Sequence, residues 1–315
     1  MPSRATLAAL AALVLLAGCG GGPGTATTET TADTTAATTT AATAATTTAG
    51  TGTTAGTGTT TTAAATTRTT TLREVDADAD AVREDVVEWM ATVDSYRIEA
   101  TIERVQSANG VTRTVTVESA GVFDRAAREL RVEQTSSGAG RSVTVTTYLV
   151  DGTLYQRSPA FVRTFSSEWV FLDLEKPRER WRTLDTLTRQ RAVLTNASVS
   201  VLGARTHNGT EAYVLAVDAD EAAYNEVVES RLENAATNVS VEVTDAAFRY
   251  VVAADSGRLL ASRGTVNSTV TTRGQTVSVT EHIDVRFDYG TGVTVELPDA
   301  ADTAVDLANR TTTAA

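Results

Sequence analysis

Val86 to Arg104 reads VVEWMATVDSYRIEATIER, and inside these nineteen residues the hydrophobic period changes once. Before the change, Val82, Val86, Trp89, Met90 and Val93 fall three or four positions apart, which places them on one face of a helix. After it, Tyr96, Ile98, Ala100 and Ile102 alternate with Arg97, Glu99, Thr101 and Glu103, as a half-buried strand requires. Upstream, Asp76, Asp78 and Asp80 suit the positive end of a helix dipole. The same DADAD run has the start of a calcium loop, but such a loop needs glycine where Ala81 stands and glutamate where Val87 stands. An acidic helix start is the reading that fits.

From this junction the chain reads as strands joined by short turns. Asn109-Gly110 marks a hairpin into a strand over Val111 to Val117. Val143, Val145 and Leu149 lie on another strand, which turns at Asp151-Gly152 into Leu154-Tyr155. Helical spacing returns through Trp181, Leu184, Leu187 and Leu194, predicting one helix over about 177–195 with Pro177 near its start. Ser198 to Leu202 turns at Asn208-Gly209 into Ala212 to Val217, and a helix is expected over about 220–234. Strands at about 239–244, 247–253, 258–270 and 276–288 follow, and Val293 to Leu297 ends the domain before Pro298. About ten strands with short connections and three interposed helices exclude alternating βαβ units. The class is α+β, mainly antiparallel β, with a strongly curved sheet.

The N-terminal region has a different composition. Arg4 precedes the apolar run Leu7 to Leu16, which is long enough for a signal segment and too short to span a bilayer. Leu16-Ala17-Gly18-Cys19 resembles the lipobox of exported lipoproteins, which implies cleavage before Cys19 and a lipid on its sulfur. Cys19 is the only cysteine, so no intramolecular disulfide can form and the exported domain depends on burial for stability. Residues 25–71 hold 27 threonines, 13 alanines and 4 glycines in 47 positions, a mix that forms no core and resembles an O-glycosylated stalk. The expected organisation is a signal peptide at 1–18, a lipidated N-terminus at 19–24, a disordered stalk at 25–71, one domain at 72–300 and a disordered tail at 301–315.

The chain carries 39 acidic and 27 basic residues, and Lys176 is its only lysine. Acidic chains in which arginine nearly replaces lysine resemble haloarchaeal proteins, whose carboxylates stay hydrated in concentrated salt. The net charge of −12 speaks against a nucleic-acid partner.

Four segments together resemble the half-barrel lipoprotein family that includes LolA, LolB, LppX and LprG. They are Val86 to Thr101, Tyr148 to Arg157 (YLVDGTLYQR), Val201 to Val217 (VLGARTHNGTEAYVLAV) and Tyr250 to Ser262 (YVVAADSGRLLAS). The likeness covers most of residues 80–298 and implies an incomplete β-barrel with about three helices on its concave side. It also implies an apolar cavity that shelters lipid chains, and no catalytic residue. The expectation is then a monomeric, lipid-anchored protein on the extracytoplasmic face of the cell membrane that binds a lipid or a lipoprotein's chain. The alternative is a cell-envelope scaffold on a glycosylated stalk.

The residues themselves offer little chemistry. His207 and His282 are the only histidines, no G-x-S-x-G elbow occurs, and no metal or cofactor motif is present, so no enzyme activity, metal or cofactor is expected. Trp89, Tyr155, Phe161, Phe165, Trp169, Phe171 and Trp181 supply much of an aromatic-poor chain. Two readings of them stay open: core packing, or a mobile loop at the mouth of a ligand cavity. Asn196, Asn208, Asn238, Asn267 and Asn309 head Asn-x-Ser/Thr sequons that export would open to glycosylation, with Asn208 on a hairpin turn the best placed. The anchor is directly testable. Cys19→Ser is expected to release the protein to the medium or leave it unprocessed; membrane-bound, normally cleaved Cys19→Ser protein would contradict a lipid on this sulfur.

Overall fold

In a computed structural model the described residues are 71–310, apart from 223, 226–227, 229–238, 273 and 291. Cys19 and the stalk lie outside them. Asp78 caps the first helix, α1 (Ala79–Thr92), its carboxylate accepting from the backbone N–H groups of Asp80 and Ala81 at 2.9 and 3.0 Å. Strand β1 (Ser95–Ala108) begins two residues after α1 ends, where the periodicity places the change.

Long hairpins follow. Strands β2 (Val111–Asp124), β3 (Glu129–Gly138), β4 (Arg141–Val150) and β5 (Thr153–Arg157) form a meander. Asn109 and Gly110 both take positive φ, 50° and 76°, as a two-residue turn between right-twisted strands demands. After a 3₁₀ turn (Pro159–Phe161) come α2 (Val162–Phe165), β6 (Trp169–Asp173), α3 (Pro177–Leu184) and α4 (Thr186–Thr195). Strands β7 (Ala197–His207) and β8 (Thr210–Ala219) precede β9 (Val239–Ala253), β10 (Leu259–Thr272) and β11 (Gln275–Asp288). Between β8 and β9, Glu221, Ala222, Tyr224, Asn225 and Val228 are helical; the rest of the helix expected at 220–234 lies outside the described residues.

With a last short strand, β12 (Val305–Asp306), the strands join one open, curved sheet in the order β12-β6-β5-β4-β3-β2-β1-β11-β10-β9-β8-β7, antiparallel except at its β12 edge. The β1–β11 pairing closes the two meanders into a continuous surface and sets Ile102 opposite Ile283 and Arg104 opposite Glu281. One face carries the main core. Tyr96, Ile98, Ile102, Phe123, Leu130, Tyr250 and Val285 lie there in the same apolar cluster as Val86, Met90, Trp181, Leu187 and Leu194 of the helices.

Four expectations are corrected. The helix expected over 177–195 is two, because Asp185 ends α3 and caps α4 through its side chain. Residues 129–138 form a strand that the periodicity does not announce, since Gln134 and Ser136 occupy positions on the core-side face. The strands expected at 239–244 and 247–253 are one strand with a register shift opposite Asn267/Ser268. Val293 to Leu297 is not a strand; it crosses the other face of the sheet, where Val295 and Leu297 pack on Tyr148 and Trp169. The domain also runs past residue 300. A 3₁₀ turn (Asp299–Thr303), β12 (Val305–Asp306) and α5 (Leu307–Arg310) follow, so a disordered tail at 301–315 holds for none of the described residues. Val305 and Leu307 are apolar anchors against Val170, Phe161 and Phe165, and β12 hydrogen-bonds in parallel to β6.

The helices are fixed to the sheet by a buried polar knot. Asp185 has no solvent exposure and accepts from the Tyr96 hydroxyl at 2.5 Å, from Arg125 Nε at 3.1 Å, and from the Thr188 backbone N–H and hydroxyl. Arg125 also donates through Nη1 to the carbonyls of Met90 and Val93 at 2.7 and 2.6 Å, capping the C-terminus of α1. Tyr96 stacks on Phe123 with ring centroids 4.6 Å apart, and burial followed by the Asp185 charge pushes its hydroxyl well above the usual phenol range. Truncating Asp185 to Ala leaves Arg125 and Tyr96 without their acceptor, and a loss of about 3–5 kcal/mol is expected. Tyr96→Phe keeps the stacking and is expected to cost only about 1 kcal/mol. Equal shifts of the two variants in denaturant unfolding would contradict this reading of the knot.

Candidate functional site

Side chains alternate along each strand, so the face that meets the helices is written in the register. It carries the even-numbered residues of β1 and β3 and the odd-numbered residues of β2 and β4, through pairs such as Ile102–Val117, Val117–Ser136 and Ser136–Val143. Between these strands and the α3–α4 corner lies a cavity of about 40 Å³. Its apolar walls are Ile98, Ile102, Phe123, Leu130, Leu184 and Val285, and Ala100 leaves the gap between Ile98 and Ile102. Gly121 lets the walls close in, since a Cβ there would lie 2.8 Å from the Phe123 ring and 3.1 Å from Ile98.

The cavity has a polar side as well. Gln134 donates to the Ser119 hydroxyl at 3.3 Å and Gln156 to the Thr147 hydroxyl at 3.5 Å. Arg189 reaches from α4 to the last turn of α3, donating to the carbonyls of Thr183 and Leu184 at 2.9 and 3.0 Å and to the Thr186 hydroxyl at 3.0 Å. Its Nε is buried without a hydrogen-bond partner, at the margin of an otherwise apolar space. Further along the same face, Arg104 Nε donates to Glu281 Oε1 at 2.6 Å, with the two residues only 7% and 1% exposed.

The opposite face is different. A broad depression of about 800 Å³ is lined by Glu99, Glu103, Glu118 and Glu133 together with Arg263 and Arg286. Its floor is a ladder of paired charges, for example Arg263 Nε donating to Asp284 Oδ2 at 2.7 Å, and it reads as a solvated surface despite its size.

The seven aromatics expected to line a ligand cavity do not come together. Trp89 and Trp181 belong to the helix–sheet core. Phe161 and Phe165 pack on Val145 and Val170. Tyr155 and Trp169 pack with Tyr148 on the far face beneath Val295 and Ala301, and Phe171 meets Tyr155 in a tilted contact with ring centroids 5.9 Å apart. Of the two readings open for residues 155–181, core packing fits the burial: Phe161, Phe165, Trp169 and Trp181 are all buried. The small cavity under the α3–α4 corner is lined instead by Ile98, Ile102, Leu130, Val132 and Gln134, among others, and nothing in composition marks it.

The remaining candidates separate in the same way. Asn208 is an exposed turn residue, whereas the Asn267 amide is held between Asp245 and Thr280, and the Asn196 amide donates to the carbonyl of Ala192. Asn309 lies in α5 and donates to Asp306, and Asn238 lies outside the described residues. His282 meets Thr265 on the charged face, and burial together with Arg205, Arg286 and Arg263 holds the His207 imidazole below its usual value. Among the described residues no three His, Cys, Asp or Glu side chains gather as a metal site, and no helix is long and apolar enough to cross a membrane.

No family model matches the chain, and no curated protein matches it. Among solved structures it is similar to LprF from Mycobacterium bovis, at 10% identity over 69% of this chain and 95% of that one, with a TM-score of 0.41. It is also similar to the lipoprotein LppX from Mycobacterium tuberculosis, at 9% identity over 70% and 100% of the two chains, with a TM-score of 0.33. A third is a LolA-superfamily protein from Nitrosomonas europaea, at 12% identity over 71% and 96%, with a TM-score of 0.22.

The buried ion pair is testable on its own. Glu281→Ala takes away the carboxylate to which Arg104 Nε donates and is expected to destabilise by about 3–5 kcal/mol, whereas the double change Arg104→Leu with Glu281→Leu is expected to recover most of that loss. A double variant as unstable as the single one, in thermal or denaturant unfolding, would show that the site needs the charges themselves.

Proposed function

We propose that this is an extracytoplasmic protein, tethered to the cell membrane by a lipid on Cys19, that holds an apolar chain between its sheet and helices α3 and α4. The observation that carries the proposal is the aliphatic cavity under the α3–α4 corner, bordered by the partnerless Nε of Arg189. Such a lining favours a hydrocarbon chain with one polar end: the walls accept the chain, and the guanidinium edge accepts an oxygen. At about 40 Å³ the cavity is too small for such a chain as it stands. A ligand pocket needs roughly 300 Å³ or more, so binding requires the α3–α4 corner to lift from β2–β4. That corner is short: Arg189 fastens its two helices to each other, and the contacts that lifting has to loosen are those of Asp185 and of the buried Trp181, Leu184 and Leu187.

The same volume favours a second reading, in which the sheet is a rigid cell-envelope module on a glycosylated stalk and the interior stays filled. Delipidated full-length protein offered a fluorescent acyl or isoprenoid amphiphile separates the two. Saturable binding is expected, and Ala100→Leu, which fills the gap between Ile98 and Ile102, is expected to weaken it at least tenfold while leaving the fold intact. Absence of binding, or binding indifferent to Ala100→Leu, would leave the scaffold reading in its place.

A further inference from the structure

The sheet has two chemically different ends. The turns of the β1–β2, β3–β4 and β10–β11 hairpins lie at one end, on six adjacent strands. In a chain with 39 acidic residues, these three hairpin ends hold none at all: residues 104–117, 134–147 and 264–280 contain no Asp or Glu. Among the described residues the neighbouring strand β9 brings flanking carboxylates, Glu242 and Asp245. At the other end lie the turn at 254–257, the N-terminal part of α1 and the entry of the chain, where Arg73 pairs with Ala204. That end is acidic, with Glu74, Asp76, Asp78, Asp80, Glu84, Asp85 and Glu88 in succession.

The acid-free end also exposes apolar side chains. Val111 and Val143 are 59% and 46% exposed, the two most open large hydrophobic residues of β2 and β4. Both occupy core-side register positions, so the face that is buried under the helices emerges here without cover. Arg113 and Arg141 stand two positions from these valines on the same face. The exposed Val162 and its neighbour Arg163 sit on α2, next to the 3₁₀ turn that Ser158 fastens to the Thr144 carbonyl of β4. Threonine and serine fill nearly half of the remaining positions.

We propose that this end of the half-barrel docks on an anionic lipid surface, with Val111 and Val143 entering the headgroup layer and Arg113 and Arg141 meeting phosphates. Exposed valines flanked by arginines, without a carboxylate among them, match such a surface, while the acidic end of the same molecule is repelled by it. In concentrated salt the long-range attraction is screened, so direct arginine–phosphate contact and valine burial carry the docking. The orientation has a consequence for the proposed cargo. From Val111 and Val143 the same face of the sheet runs, now covered, through Val117, Ser136 and Val145 to Ser119, Gln134 and Thr147, which line the cavity. Docking therefore turns the exposed margin of the cavity face, at Val111 and Val143, toward the source of apolar chains. More than fifty residues separate Cys19 from Arg73, so a tether on Cys19 is long enough for either end to reach the bilayer.

The proposal rests on the membrane-tether reading for its choice of occupant, and the experiment reads the two separately. Because Cys19 is the only native cysteine, Val111→Cys or Val143→Cys gives the lipidated full chain one free thiol for an environment-sensitive fluorophore, and Ser256→Cys places the same label at the acidic end. Flotation with vesicles reports the tether; the fluorophore reports docking. On phosphatidylglycerol vesicles the labels at 111 and 143 are expected to shift to the blue and be quenched by brominated chains, and the label at 256 is not. On phosphatidylcholine the response at 111 and 143 is expected to fade. Arg113→Gln with Arg141→Gln is expected to lower the docked-to-free ratio roughly thirtyfold, from about fivefold per arginine at an anionic surface. Labels at both ends responding alike, indifference to the arginine changes, or a response that follows protein density rather than lipid charge (a second copy as occupant) would each overturn the proposal. If the protein does not float, the tether reading fails, and adding the chain to vesicles from solution still decides the docking.

Discussion

A single buried carboxylate organises this fold. Asp185 has no contact with water, and a charge in that position is tolerable only with its hydrogen bonds complete. They come from three separate parts of the chain: the first residues of β1 through Tyr96, the β2–β3 turn through Arg125, and the start of α4 through Thr188. Arg125 extends the knot to the end of α1. Each partner is positioned by the element that carries it, so the helices can sit in one place on the sheet. The apolar core supplies the driving force, but it does not specify which helix face meets which strand as tightly as this knot does.

That division explains what a single sequence conveys. The α1–β1 junction was legible because Val86, Trp89 and Met90 keep a helical period and Tyr96, Ile98 and Ile102 keep a strand period, each for a whole element. Hairpins were legible where Asn-Gly or Asp-Gly stood at the turn. Strand β3 was hidden, because Gln134 and Ser136 replace apolar residues on its buried-side face. The break at Asp185 was hidden too, since Leu184 and Leu187 continue the same spacing on both sides of it. The C-terminal segment reads as one more strand by alternation, yet every neighbouring strand is already paired, and its apolar residues cover Tyr148 and Trp169 instead.

The candidate site was harder to read than the fold. Aromatic residues are natural candidates for a lining, but a curved sheet of this size needs large side chains wherever its faces are sealed, and six of the seven pack into such clusters. The cavity owes its existence to small residues, Ala100 and Gly121, and its polar margin to an arginine that looks like any other in the sequence. What the chain does display is an absence: three separated stretches without a carboxylate become one surface only when the strand order brings them to the same end of the sheet. Cavity face and acid-free end are then parts of one continuous surface, and the exposed valines are its outer margin.

The central claim is that the α3–α4 corner opens to admit an apolar chain to the helix-side face. Amide hydrogen exchange on the full-length protein, with and without a saturating acyl or isoprenoid amphiphile, tests it most directly. Exchange is expected to change over residues 177–195 and over the stretches of β2 and β3 that face them, while the amides of β7 and β8 keep their rates. A uniform change across the sheet, or none at 177–195, would contradict the claim.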